Sequence, residues 1–175
     1  MNLDVIVHGG GVYFGYSPYG FPNSSSGYGY GGSYGNGPIE PKIAFTTDGL
    51  DWQDMSLGVL RNEGGYYNIK GLAYNGQCWL AVVGCSLNSS PWNETKVLKS
   101  TDMGLTWQTV PSNLPQGWMP ITGNGKSDLR YADGFWILMA NTNPGKFWIS
   151  TDGASWIDRS PRSEEHTSEL QSRQY

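Results

Sequence analysis

One short element occurs three times along this 175-residue chain, and its recurrence restricts the fold more than any other feature. The copies read Thr46-Thr-Asp48-Gly49-Leu-Asp-Trp52, Ser100-Thr-Asp102-Met-Gly104-Leu-Thr-Trp107 and Ser150-Thr-Asp152-Gly153-Ala-Ser-Trp156. The three aspartates are about 50 residues apart, so each copy marks a structural unit of that length. Recurrence at this period favours an array of similar supersecondary units over a single irregular fold.

A second element precedes each copy and consists of two apolar runs separated by a glycine-containing dipeptide. It covers residues 5–15 with Gly-Gly, 72–82 with Asn-Gly and 129–139 with Asp-Gly. These dipeptides supply the positive φ angles that tight hairpin turns require. Both elements together predict four antiparallel strands per repeat, which is typical of a β-propeller blade. We therefore expect an all-β partial propeller over 1–161, with three four-stranded antiparallel blades at about 3–57, 69–111 and 127–160.

The composition agrees with short strands and excludes several classes of function. The chain has 25 Gly and 8 Trp, and charged residues make up 15% of it, which does not suit helices. Its net charge of −4 gives no electrostatic reason to expect nucleic acid, and no apolar run approaches the length of a membrane span. No His/Cys cluster has metal-ligand spacing. We predict no cofactor, no metal, no nucleic-acid partner and no membrane span.

The middle copy of the short element resembles the Asp-box, or bacterial neuraminidase repeat, at each fixed position of Ser-x-Asp-x-Gly-x-Thr-Trp. The other two copies resemble its shorter form, and such repeats occur in sialidases, other glycosidases and many non-enzymatic surface proteins. A turn carboxylate accepts backbone N–H hydrogen bonds, a glycine allows unusual φ angles and a tryptophan covers apolar surface. We therefore predict structural roles for Thr46, Asp48, Gly49, Trp52, Ser100, Asp102, Gly104, Trp107, Ser150, Asp152, Gly153 and Trp156.

The C-terminal residues 162–175 differ in style from the rest of the chain. They are charged and polar, and 162–172 resembles the in-frame translation of a short sequencing adapter. We expect this tail to be non-native and give its charged residues no functional weight. The chain is then expected to be a fragment. Because three blades do not close a propeller, further blades or other subunits are expected to complete it.

The order of the strands places the short turns at one end of each blade and the long connections at the other. Long loops on a rigid scaffold are where binding usually occurs, and aromatic rings there suit sugars or protein partners. The candidate ligand-binding residues are Trp92, Trp118, Tyr66, Tyr67, Arg61 and Arg130. The alternative is that these rings only cover the blades and that the arginines are ordinary surface charges. By contrast, strand positions predict that Trp79, Trp136 and Trp148 are buried.

Two functions remain open on these residues. The first is a non-enzymatic binding or structural module on a phage or bacterial surface, which contacts glycan or protein and is extracellular or virion-associated. The alternative is a fragment of a sialidase-like glycoside hydrolase with part of its catalytic set missing. The sialidase Arg-Ile-Pro motif is absent before the first Asp-box, and we assign no catalytic residue. The carboxylates near the loop-rich end are Glu40, Glu63, Glu94 and Asp128, and glycosidase chemistry requires a pair of them.

Overall fold

A computed structural model describes residues 5–16, 43–55, 65–87, 93–116, 127–140 and 145–161. Every regular element within these ranges is a β-strand. The strands of the first repeat are β1 (Val5–Gly9), β2 (Val12–Tyr16), β3 (Ile43–Thr46) and β4 (Gln53–Met55). Those of the second are β5 (Gly65–Tyr74), β6 (Trp79–Leu87), β7 (Asn93–Ser100) and β8 (Gln108–Val110). Those of the third are β9 (Ser127–Ala132), β10 (Phe135–Ala140), β11 (Lys146–Ser150) and β12 (Ile157–Asp158).

The twelve strands form three separate four-stranded antiparallel sheets, one for each sequence repeat. Their orders are β1-β2-β3-β4, β5-β6-β7-β8 and β9-β10-β11-β12, so each strand pairs with its neighbour along the chain. We name the sheets blade one, blade two and blade three. The prediction of three four-stranded antiparallel blades in an all-β fold is confirmed. The predicted tail at 162–175 lies outside the described residues.

Blade two differs from the sequence prediction at its loop-side strand ends. Strand β5 begins at Gly65 rather than at residue 69, and β6 continues to Leu87. The added residues pair with each other, from Gly65 with Leu87 to Asn68 with Gly84, and a bulge follows between Ile69 and Gly71. Residues 65–68 therefore belong to the sheet, although the sequence placed the start of this blade at about residue 69. Cross-strand pairing extends the sheet there, and a local pattern of turn residues does not reveal it.

Side chains on the two sides of blade two fill two different cores. Along β6, Trp79, Ala81 and Val83 pack against blade one, whereas Leu80 and Val82 pack against blade three. This alternation is the period-two pattern of a strand that is buried on both faces. We call the two packing regions joint one-two and joint two-three. The predicted burial of Trp79, Trp136 and Trp148 is confirmed.

The first strands of the blades lie side by side and form the inner edge of the assembly. Strand β5 contacts both β1 and β9. A Cβ atom on Gly71 would lie 2.8 Å from the backbone nitrogen of Leu129 and would contact its Cβ, so only glycine permits this approach. The inner strands are thus held together by backbone proximity.

In the structure, the residue of blade one that matches Trp79 and Trp136 lies one position later than a direct alignment of the sequence repeats places it. Tyr13, Trp79 and Trp136 occupy equivalent positions, because they pair with Thr46, Ser100 and Ser150 respectively. Each of these rings packs on a ring of the first strand of its own blade. The ring centroids are 4.2 Å apart for His8 and Tyr13, 5.1 Å for Tyr74 and Trp79, and 4.9 Å for Tyr131 and Trp136. The triple glycine at 9–11 shifts the apparent sequence alignment.

Candidate functional site

The antiparallel order gives every blade two chemically different ends. One end, here the turn end, carries the β1–β2 type hairpin turns and the three repeated turns at 46–52, 100–107 and 150–156, which we call the Asp turns. The other end, here the loop end, carries the second turn of each blade and the connections between blades. Tyr16, Asp128 and Glu94 lie at strand termini on the loop end. The chemistry of these two ends decides which carboxylates are available to a ligand.

At the turn end, Asp102 is bonded inside its own turn. Its Oδ1 accepts hydrogen bonds from the Ser100 hydroxyl at 2.8 Å and from the Thr106 N–H at 2.9 Å, and its Oδ2 accepts one from the Thr106 hydroxyl at 2.6 Å. These bonds, led by that of the Thr106 side chain, lower the pKa of Asp102 from 3.8 to about 2. The carboxylate is therefore held ionised as the centre of a turn.

The other two Asp turns repeat this geometry. Asp48 accepts bonds from the Asp51 N–H at 3.0 Å and the Leu50 N–H at 2.8 Å, and these bonds lower its pKa to about 2. Asp152 accepts bonds from the Ser155 N–H at 2.7 Å and the Ala154 N–H at 2.8 Å, and its pKa is also lowered to about 2. Carboxylates that perform the same backbone task in every blade are suited to shaping turns rather than to catalysis.

Two further hydrogen bonds close the Asp turns of blades two and three. The Gly104 N–H donates to the Ser100 hydroxyl at 2.8 Å, and the Trp107 indole N–H donates to the Gly104 carbonyl at 2.9 Å. In blade three, Gly153 and Trp156 make the same two bonds, at 2.8 and 3.0 Å. The glycines Gly49, Gly104 and Gly153 have φ angles of 78°, 86° and 79°, which favour glycine.

At the loop end, the charged residue that sequence analysis singled out lies on the inner strand of blade three. The Arg130 Nε donates to Asp128 Oδ2 at 2.7 Å, and the two side chains are 72% and 44% exposed. They are two residues apart on β9 and therefore lie on one face of the strand. The hydrogen bond and the charge of Asp128 raise the pKa of Arg130. This exposed pair presents acceptor and donor groups together near the propeller axis.

Tyr16 at the end of β2 and Lys70 on the inner strand β5 are both buried. Burial, and to a smaller extent the negative charge of Asp128, raises the pKa of Tyr16. Lys70 is the extra residue of the β5 bulge, and burial lowers its pKa. Sequence analysis missed Lys70. Its only signal was a lysine within an otherwise apolar run, Ile69–Leu72, because the bulge itself depends on cross-strand pairing.

Several candidate residues lie beyond what the structure describes. Trp92, Trp118 and Arg61 are outside the described ranges, as are Glu40 and Glu63. Tyr66 and Tyr67 lie in β5, and the structure does not describe their side chains. Their proposed role in ligand binding stays a prediction.

Glu94 is a further carboxylate at the loop end. Glu94 lies 3.7 Å from the Lys96 ammonium at the start of β7. Across the described ranges, no group of three His, Cys, Asp or Glu residues is arranged to hold a metal ion. No helix among these same residues is long and apolar enough to cross a membrane. The described chemistry of the loop end is therefore that of ion pairs beside buried aromatic and basic groups.

The chain is similar in fold to solved β-propeller glycosidases. It resembles exo-inulinase from Aspergillus awamori with a TM-score of 0.51 and 14% identity, covering 89% of this chain and 36% of that one. It resembles fructofuranosidase from Schwanniomyces occidentalis, solved with fructose, with a TM-score of 0.52 and 14% identity, covering 86% and 31%. A glycosyl hydrolase from Bacteroides ovatus gives 0.51 and 12%, covering 87% and 46%.

These comparisons establish the propeller fold and show how much of each solved propeller protein the chain covers. The chain spans less than half the length of each of these three structures. No family model matches the chain, and neither does any curated protein sequence. At such identities the likeness concerns the fold, because one fold carries many functions. The partial-propeller prediction is confirmed, whereas the Asp-box assignment stays a resemblance.

Proposed function

We propose that this chain is part of a glycoside hydrolase-type β-propeller that binds carbohydrate at its loop end. The observation that carries this proposal is the exposed Asp128–Arg130 pair, bonded at 2.7 Å on an inner strand near the axis. Similarity in fold to an exo-inulinase and a fructofuranosidase supports a glycosidase context. It favours the hydrolase alternative over the non-enzymatic surface module that the sequence alone placed first.

The chemistry of the pair suits sugar hydroxyl groups. The Asp128 carboxylate retains acceptor positions beyond its bond with Arg130, and the guanidinium retains N–H donors. A sugar with adjacent hydroxyls both donates and accepts, so it can bond to both members at once. Hydrogen bonds to charged groups are stronger than neutral ones, which makes an ion pair an effective polar contact. Asp128 and Arg130 are thus proposed as binding residues, and the catalytic residues remain unassigned.

The aromatic residues of the loop end extend this proposal. Trp92, Trp118, Tyr66 and Tyr67 would supply apolar faces that stack on sugar rings, and Arg61 would add a second cationic group. A binding site with a few placed polar groups among aromatic rings has the usual composition of a ligand pocket. For Asp128 to take part in hydrolysis, a second carboxylate would have to lie about 5–9.5 Å from it.

Titration calorimetry with a fructo-oligosaccharide and with sialyllactose tests the proposal. We expect binding of one of these sugars, with affinity reduced about tenfold in Asp128→Asn, which corresponds to ~1.4 kcal/mol. Asp158→Asn is the matched control, because Asp158 forms an ion pair with Lys146 at 3.7 Å on the outer strands of the same blade. Absence of binding by the unmodified chain, or equal weakening by both substitutions, contradicts the proposal.

A further inference from the structure

One face of blade three carries a partly exposed apolar band, bordered on β9 by Asp128 and Arg130, which pair with Met139 and Ile137. It consists of side chains from three adjacent strands, aligned by the cross-strand pairs Ile137 with Ile149, Met139 with Phe147 and Ile149 with Ile157. Phe135 and Met139 are 41% and 39% exposed. We call this the trailing face, since it points away from blade two. A contiguous apolar surface of this kind on a soluble sheet marks a contact with another structural element.

The equivalent positions are buried in both other blades. The residues that correspond to Phe135, Ile137 and Met139 are Val12, Phe14 and Tyr16 in blade one and Cys78, Leu80 and Val82 in blade two. All six are buried in joint one-two or joint two-three. Blade three therefore carries the first half of a third joint. Its second half is a leading face, the side of a blade that points toward the preceding blade.

Both existing joints share one specific contact. The Asp-turn glycine of the later blade receives a trailing side chain of the earlier one. A Cβ on Gly104 would contact Phe14 Cζ, and a Cβ on Gly153 would lie 3.1 Å from Leu80 Cδ1. Phe14 and Leu80 correspond to Ile137 in blade three. Among the described residues, no Asp-turn glycine receives Ile137.

Blade one has the complementary half of such a joint. Its Asp-turn glycine, Gly49, adopts the same positive φ as Gly104 and Gly153. None of the described residues lies within 4 Å of the position that a Cβ on Gly49 would take. Trp52 is half-buried, whereas its equivalents Trp107 and Trp156 are buried. The leading face of blade one therefore has the receiving glycine without the side chain that would cover it.

Side-chain sizes also match across the joints. In joint one-two, the large trailing pair Tyr16 and Ile43 meets the smaller leading pair Ala81 and Leu98. In joint two-three, the small trailing pair Val82 and Val97 meets the large leading pair Leu138 and Trp148. In both joints, a pair of large side chains therefore packs against a pair of smaller ones, as close packing in a fixed volume requires.

The two outer faces continue this rule. The trailing pair of blade three is large, Met139 and Phe147, whereas the leading pair of blade one is small, Gly15 and Ala44. Gly15 and Ala44 are already buried within the single chain, so a partner would contact the residues around them. Ile6, 58% exposed, lies at its rim, where a partner would first make contact.

We propose that the trailing face of blade three binds the leading face of blade one in a second copy of this chain. Ile137 of one copy would cover Gly49 of the other. Two such head-to-tail joints would close a ring of six blades, within the range of four to eight blades seen in propellers. Because two copies would close the ring, this heterologous contact would not continue into a filament. Closure would also bury both exposed apolar faces. The Asp128–Arg130 pair lies on this same trailing face, because Asp128 pairs with Met139 and Arg130 with Ile137, so the joint and carbohydrate binding at that pair would compete.

Light scattering coupled to size-exclusion chromatography of the full chain tests the proposal. We expect twice the single-chain mass of 19.2 kDa. Ile137→Glu places a charge in the joint and should give a single-chain mass. Leu105→Glu is the control and should keep the doubled mass, because Leu105 is exposed in the Asp turn of blade two and lies in neither outer face. Circular dichroism would establish that each variant keeps its strand content.

Mixing two variants identifies the head-to-tail arrangement. Gly49→Val damages only the leading half of the joint, and Ile137→Glu damages only the trailing half. Each alone should give a single-chain mass, whereas their equimolar mixture should partly recover the doubled mass through one intact joint. A single-chain mass for the unmodified protein, a doubled mass that survives Ile137→Glu, or no recovery on mixing overturns the proposal. The first result would instead favour a further blade from a different polypeptide segment.

Discussion

The turn end and the loop end of the same blades use aspartate in opposite ways. Asp102 at the turn end directs its oxygens to groups of its own turn, and Asp48 and Asp152 do the same. Asp128 at the loop end bonds instead to an arginine that is 72% exposed. One set of strands therefore provides a repeated end that fixes the blade and a variable end that is available to a ligand. Substitutions at the two ends should separate stability from binding.

The largest expected effect is at the turn end, in Gly104→Ala. The new methyl group would collide with the Phe14 ring, and a non-glycine residue would be strained at φ 86°. Overpacking and positive-φ strain together should lower the free energy of unfolding by about 3 kcal/mol. Urea unfolding followed by tryptophan fluorescence measures this change. Because the collision involves two blades, the loss also tests the packing of joint one-two.

Gly76→Ala is the matched control for that prediction. Gly76 has a φ of 94° in the first hairpin turn of blade two, and none of the described residues lies within 4 Å of its added Cβ. Only the backbone strain applies there, so the expected loss is about 1 kcal/mol. Equal losses in the two variants would mean that the contact between Gly104 and Phe14 contributes nothing.

The repeated end was largely predictable from the sequence, and the reason is local chemistry. Positive φ angles at Asp133 and Gly134 follow from the Asp-Gly dipeptide, and the burial of Trp79 follows from its strand position. Which residues of blade one are equivalent to those of the other blades was not predictable from local sequence. The triple glycine of blade one admits two alignments, and only the pairing of Tyr13 with Thr46 decides between them. Nonlocal pairing, rather than local propensity, sets such positions.

The second prediction concerns the serine that starts the Asp turn of blade two. Ser100→Ala removes the hydroxyl that donates to Asp102 and accepts from the buried Gly104 N–H, both at 2.8 Å. Leaving that N–H without a partner should lower the free energy of unfolding by about 2 kcal/mol. Thr101→Ala changes an exposed neighbour and should leave the unfolding midpoint unchanged. A similar loss in both variants would assign the effect to the backbone instead of the hydroxyl.

The third prediction is a dependence of stability on acid. Each Asp-turn carboxylate has its pKa lowered from 3.8 to about 2 in the fold. A lowered folded pKa stabilises the protein at pH values above the unfolded pKa, and this contribution is lost as the pH falls from about 4 to about 2. The urea midpoint should therefore decline over that window. Asp102→Asn should reduce the fall of the urea midpoint between about pH 4 and about pH 2. An unchanged pH profile in that variant would mean that the Asp102 carboxylate does not contribute to stability.

The loop end was less predictable because its chemistry depends on strand geometry and cross-strand pairing. The sequence indicated Arg130 as a candidate, but its bond with Asp128 required the extended geometry of β9. Lys70 escaped prediction because a bulge that forms only on pairing with β6 places it in the interior.

The smallest expected effect on stability is that of Arg130→Ala at the loop end. The guanidinium is exposed, and water replaces its bond to Asp128 with little loss, as is usual for surface ion pairs. The unfolding midpoint should therefore stay within the error of the measurement, whereas the affinity for the oligosaccharide should fall. Calorimetry and urea unfolding of the same preparation provide the two values. A lowered midpoint with unchanged affinity would place Arg130 among the structural residues and remove the contrast between the two ends.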